Sequence, residues 1–73
     1  MKTINKHLRI DRREICFLKF IFEAYDGIAT LTTIDAHQGI VLLRIAPGCK
    51  DEVDTVLRDL RKDMIIEDFV LYH

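Results

Sequence analysis

The chain has no tryptophan, one proline, three glycines and two cysteines among its 73 residues, and each scarcity excludes something. Two cysteines, Cys16 and Cys49, cannot build the disulfide framework that staples small secreted domains. A single proline and few glycines, set against 49% hydrophobic residues, exclude a disordered or low-complexity chain, because there is enough apolar surface to offset the entropy of ordering it. The longest apolar runs, such as Ile15–Leu18 and Ile40–Leu43, fall far short of the ~20 residues that cross a bilayer, so no membrane partner is expected. A charge excess is missing too. The net charge of −1 argues against a dedicated nucleic-acid or membrane-surface protein, which would carry a clear basic surplus. Met1–Lys6 has no apolar stretch of the secretory kind behind it, and the expected compartment is the cytoplasm.

What is present is a change of apolar period along the chain: two, three-and-a-half, two, two, three-and-a-half, two. Strands are expected at Lys6–Ile10, Ile28–Ile34, Ile40–Ala46 and roughly Ile66–Tyr72, and helices at Asp11–Asp26 and Lys50–Asp63. This βαββαβ order predicts a single α+β domain over residues 1–73 of ferredoxin-like topology. Its four-stranded antiparallel sheet would have the order 4-1-3-2, with both helices on one face. A domain of this size buries only roughly 60% of its unfolded surface, so its stability margin is expected to be thin.

Local chemistry supports the boundaries. Asp11, followed three residues on by Glu14, has the spacing of a helix cap, and Gly27 can adopt the left-handed conformation that ends a helix. Asp35-Ala36-His37-Gln38-Gly39 is a polar connection that turns the second and third strands into a hairpin. Asp51 and Glu52 open the second helix, and Arg58, Arg61 and Lys62 lie toward its end, as the helix dipole favours. Val53, Val56, Leu57, Leu60 and Met64 give that helix one apolar stripe of ordinary width. In the last strand Glu67 and Asp68 suit a guarded sheet edge, and its alternation is compatible with either face pointing inward. The basic residues of positions 1–13 and the acids of positions 50–73 are expected to neutralise each other, since first and last strands are neighbours in this topology.

The stretch LRIDRREICFLKFIFEAYDGIATLTTID followed by GIVLLRIAPGCKDEVDTVLRDL resembles a family of short bacterial proteins known as a domain of unknown function, and more distantly the ACT-like ferredoxin folds. The first resemblance runs from Leu8 to about Leu60 and implies a fold, with no activity or catalytic residues attached. Ligand-binding ACT domains typically carry a glycine near the first strand-to-helix turn. Here that turn is Asp11-Arg12-Arg13, so the second resemblance implies topology and not an amino-acid site.

Chemistry-bearing constellations are sparse, and no catalytic, metal or cofactor site is expected. Cys49 follows Pro47-Gly48 at the start of the second helix, where a helix terminus can activate a thiol. The histidines, His7, His37 and His73, fall on a strand, a hairpin loop and the chain end, none an evident base for it. Asp35 and His37 form a loop pair without a third ligand, and three isolated glycines make no phosphate cradle. His7, Arg9 and Arg44 are expected on the open sheet face, where they could meet an anion or a nucleic-acid backbone. That face lacks the run of aromatics on which bases stack.

Surplus apolar surface is the stronger signal. On a helical wheel Arg12, Lys19, Glu23 and Asp26 form one narrow polar stripe, while apolar residues fill an arc of roughly 220°, about twice what covering one sheet needs. The open sheet face is expected to display Ile28, Ile34, Ile40 and Leu42. The expected function is therefore a small non-enzymatic regulatory or adaptor module acting as a homo-oligomer, with Phe17 and Phe20 on the helix and Ile28, Ile34, Ile40 and Leu42 on the sheet as candidate interfaces. The alternatives are anion or nucleic-acid binding through His7, Arg9 and Arg44, and a thiol-dependent enzyme using Cys49.

Overall fold

Strand β1 (Ile4–Ile10) occupies the middle of a sheet. It pairs antiparallel with β3 (Ile40–Ile45) on one side and with β4 (Ile66–Asp68) on the other, and β3 pairs in turn with β2 (Ala29–Asp35). The computed structural model describes residues 3–25 and 27–69. The sheet order is β2-β3-β1-β4, which read from the opposite edge is 4-1-3-2. Helices α1 (Ile15–Ala24) and α2 (Lys50–Leu60) complete an α+β fold with the element order βαββαβ.

Residues opposite one another on antiparallel strands project to the same side. The rows Ala29–Ile45, Leu31–Leu43 and Thr33–Val41–Leu8 therefore share a face with Ile10 and Ile66. On that face Ile15, Leu18 and Phe22 of α1 and Val53, Val56 and Leu57 of α2 join one core with Leu8, Val41 and Leu43, so both helices cover the same side. The packing makes α1 more than the backbone does. Its sequence ICFLKFIFEA is rich in aromatic and β-branched residues of modest helix propensity, and ten residues are too few for a stable isolated helix.

The helix ends differ from the sequence-based expectation. Residues Arg12–Glu14 form a 3₁₀ turn and α1 proper starts at Ile15. The Asp11 carboxylate caps the Arg13 N–H at 2.9 Å, while the Glu14 N–H donates to the Asp11 carbonyl, an i to i+3 bond that tightens the turn. α2 ends at Leu60 and not at Asp63, because the Lys62 and Asp63 N–H groups donate to carbonyls three residues back. β1 starts two residues earlier than expected, with Ile4 and Asn5 opposite Ile45 and Arg44. β4 is assigned as Ile66–Asp68, and the Phe69 N–H still reaches the His7 carbonyl at 2.9 Å. The remainder of the expected last strand, through Tyr72, lies outside the described residues.

Two of the apolar residues assigned to the open sheet face require correction. Ile28 precedes β2 in the turn through Gly27, whose φ is +76°, and its side chain is part of the core at 6% exposure. Ile40 does lie on the open side, opposite Arg9 and Asp35, but is also only 6% exposed. Ile34 stays in water, since a register shift between Thr33 and Asp35 leaves it without a cross-strand partner. The expected neutralisation of the chain's two ends is visible where Lys6 approaches the Asp68 carboxylate at 3.6 Å, a carboxylate that Arg61, from the same end of the chain as Asp68, also approaches at 3.3 Å.

The hairpin between β2 and β3 is fixed by its own chemistry. Asp35 Oδ1 accepts from the His37 and Gln38 N–H groups at 3.0 and 3.1 Å. Gly39, at φ +74°, offers its carbonyl to the Ile10 N–H at 2.8 Å. A Cβ at position 39 would run into the Ile10 carbonyl oxygen. Gly39→Ala is therefore expected to destabilise the fold by at least ~1–3 kcal/mol from the left-handed backbone alone, with the collision added to it, read as a fall in the urea midpoint.

Asp11 gives a second expectation. Hydrogen bonds from the Arg13 side chain and backbone hold its carboxyl pKa down to about 2 from 3.8. A depressed folded-state pKa stabilises above the unfolded value, and the contribution disappears as pH falls from about 4 toward 2. Asp11→Ala should lower the Tm by a few degrees at pH 7, with the gap to wild type closing as pH falls through that window. An equal gap at pH 7 and pH 2 would mean that the carboxylate is not what stabilises the turn.

Candidate functional site

On α1 the buried residues Ile15, Leu18 and Phe22 define the side that faces the sheet. At 100° per residue Phe17, Phe20 and Ala24 lie on the opposite side, and Phe17 and Phe20 are 48% and 60% exposed. The polar residues Arg12, Lys19 and Glu23 do not take that outward side; they run along one flank of the helix. Tyr25, also half exposed, is at the other flank. Helix α1 thus carries apolar surface directly away from its own core.

The open face of the sheet is more polar than the sequence suggested. Its rows are Thr30–Arg44–Asn5, Thr32–Leu42–His7 and Asp35–Ile40–Arg9–Glu67. Leu42 and His7 are half-buried beside each other, so Leu42 is the main partly open apolar residue at the centre of this face. Arg9 and Arg44 are four residues apart along the strands, about 13 Å between their backbones, and so form no compact basic cluster. Arg9 also sits opposite Glu67, which offsets its charge. His7, between the two rows, is the only one of the three that the sheet places near both.

Cys49 lies at the start of α2, where the sequence reading put it. Cys49 immediately precedes α2 with no hydrogen bond from its side chain to the helix end, is half-buried, and packs against the core. The structure does not place His37 beside it. Instead His37 and Cys16 line the same open groove of about 410 Å³, together with Arg12, Ile15, Thr33 and Ala36. Sequence reasoning missed this juxtaposition. Arg12 and Cys16 are four apart and their common flank was legible, but their approach to the hairpin depends on where α1 lies across β2. The Asp35 carboxylate that accompanies His37 in sequence is occupied by backbone N–H groups of the loop.

A second groove, of about 340 Å³, is lined by Lys6, Asp54, Leu57, Arg58 and Arg61. Its charges are mixed. Lys50 binds Asp54 at 2.9 Å, an interaction that lowers the Asp54 pKa, and Lys6 and Arg61 share Asp68. Among the described residues no three His, Cys, Asp or Glu side chains are grouped so as to hold a metal ion, and no helix is long and apolar enough to cross a membrane.

No curated protein and no solved structure matches this chain. One family does, and it matches from the middle of β1 to just beyond α2, the stretch that holds both helices, the hairpin and most of the core. With residues 8–64 matched, the chain belongs to the family described as Domain of unknown function (DUF4911).

Proposed function

We propose that this protein is a small non-enzymatic regulatory or adaptor module that works as a homo-oligomer in the cytoplasm of a bacterium. The observation that carries this reading is the outward side of α1, where Phe17 and Phe20 point away from the core at 48% and 60% exposure. A domain of this size has little stability to spare, and a second copy covering such residues removes apolar surface from water at roughly 25 cal/mol per Å². The element order and the one-sided placement of the helices favour a ferredoxin-like classification, a fold on which many unrelated functions are built. The helix is preferred over the sheet as the interface because Ile28 and Ile40 are already covered within one copy.

Sedimentation equilibrium at micromolar concentration should return a multiple of 8.6 kDa. Phe20→Glu should weaken the assembly while leaving the circular dichroism spectrum intact, since that side chain contributes nothing to the core. A wild-type protein that stays monomeric at every concentration would overturn the self-association. Rapid stoichiometric alkylation of Cys49 at neutral pH would count against the non-enzymatic reading.

A further inference from the structure

Strand β2 is seven residues long and lies at the end of the sheet, with no strand beyond it among the described residues. Its hydrogen-bonding parity is fixed by the Ala46 N–H, which donates to the Ile28 carbonyl at 2.9 Å. Positions 28, 30 and 32 therefore turn their N–H and C=O groups toward β3, and Ala29, Leu31 and Thr33 turn theirs outward. Natural edges are usually guarded by lysine, proline, inward charge or brevity. The opposite edge strand, β4, is three residues long and carries Glu67 and Asp68. β2 carries one guard of the kind that bulges supply, the register shift between Thr33 and Asp35 at its far end, but from Ala29 to Thr33 it has none, and its side chains Ala29, Thr30, Thr32 and Thr33 are small.

The flank of α1 above this edge carries Arg12, Lys19 and Glu23 in that order, with the exposed Lys19 one turn before Glu23 and in no ion pair among the described residues, so the flank is basic at its start and acidic at its end. The groove that Arg12 and Cys16 share with Thr33 places the start of the helix over the end of β2. β1 and β2 are both antiparallel to β3, so α1 runs back between two parallel strands, opposite in direction to β2. Phe20 and Glu23 follow Cys16 at i+4 and i+7 on the same stripe, which carries Glu23 toward the Ala29 end of the strand. Arg12 and Glu23 are eleven residues apart, roughly 16 Å along the helix, too far to pair within one copy. Both are exposed, and neither forms an ion pair among the described residues.

We propose that a second copy of this chain pairs antiparallel along the outer edge of β2, with Leu31 on the two-fold axis, so that two sheets become one and Arg12 of each copy meets Glu23 of the other. The axis exchanges Thr33 with Ala29, which satisfies the outward backbone groups of positions 29, 31 and 33 in both copies. The same axis exchanges the two ends of α1, so charges that cannot meet within a copy are complementary between copies. Phe20, on the stripe between Cys16 and Glu23, comes to the seam between the two helices, while Phe17, about 60° further round the wheel, stays outside it. This inference rests on the self-association proposed above and gives it a geometry.

The test is charge exchange followed by sedimentation equilibrium on the full chain. Arg12→Glu alone and Glu23→Arg alone should each weaken self-association by about tenfold, because each homodimer then opposes like charges twice. Mixing the two variants in equal amounts, or combining both substitutions in one chain, should restore the wild-type constant. Thr33→Pro, which removes one outward N–H per copy at an exposed position, should also weaken the dimer, with circular dichroism reporting on the fold. Should that variant fail to fold, the charge exchange decides alone. A dimer indifferent to every one of these changes would leave self-association standing and overturn the edge geometry. A wild-type monomer, with or without a different protein seated on β2, would overturn both.

Discussion

The packed core cluster is on one side of the sheet, with Ile40 the one buried hydrophobic on the other among the described residues. Leu8, Val41 and Leu43, in the two central strands, have no solvent exposure, and they owe this to two helices that both lie on the same face. That single layer of contact, with Leu18 and Phe22 descending from α1 and Val53 and Leu57 from α2, holds the other elements in place. Helix α1 is too short and too rich in aromatic residues to form alone, and the three-residue β4 is held through pairing with β1 and through Ile66 in the core. The hairpin is tied to the same unit where Gly39 meets the end of β1.

A two-layer arrangement leaves each layer with an outer surface, and the two are treated differently here. The open face of the sheet is largely polar, with Thr30, Thr32, Arg44, Asn5, Arg9 and Glu67 around a half-buried Leu42, and it needs no cover. The outer side of α2 is charged and laced by the Lys50–Asp54 and Lys62–Asp59 pairs. The outer side of α1 is apolar, and the strand beneath it is the long edge strand of the sheet, interrupted only by the register shift near Asp35. Surplus apolar surface and an unsatisfied strand edge thus adjoin each other at the β2 end of the molecule.

Charge follows the same division. A base and an acid from opposite ends of the chain meet where Lys6 of β1 approaches Asp68 of β4, and Arg61, just past α2, reaches the same carboxylate. Asp11 and Arg13 cancel locally at the entry to α1. Arg12 and Glu23 form no ion pair among the described residues, and the helix between them keeps them from meeting each other.

The periodicity of the chain determined the order of elements and the stripe of α2, because each depends only on which neighbours in sequence share a face. Capping by Asp11 and the left-handed Gly27 were legible for the same reason, although the 3₁₀ turn at Arg12–Glu14 was not, since it turns on which backbone N–H the carboxylate reaches. The burial of Ile28 depended on how the turn through Gly27 enters the strand, and that of Ile40 on what lies beside it across the sheet, neither of which a wheel or an alternation can represent. The groove joining Arg12, Cys16, Thr33 and His37 required knowing where α1 lies across β2. Local pattern settles which side of an element is apolar; only the tertiary arrangement decides whether that side is covered, because coverage is a property of segments that are distant in sequence and brought together by the fold.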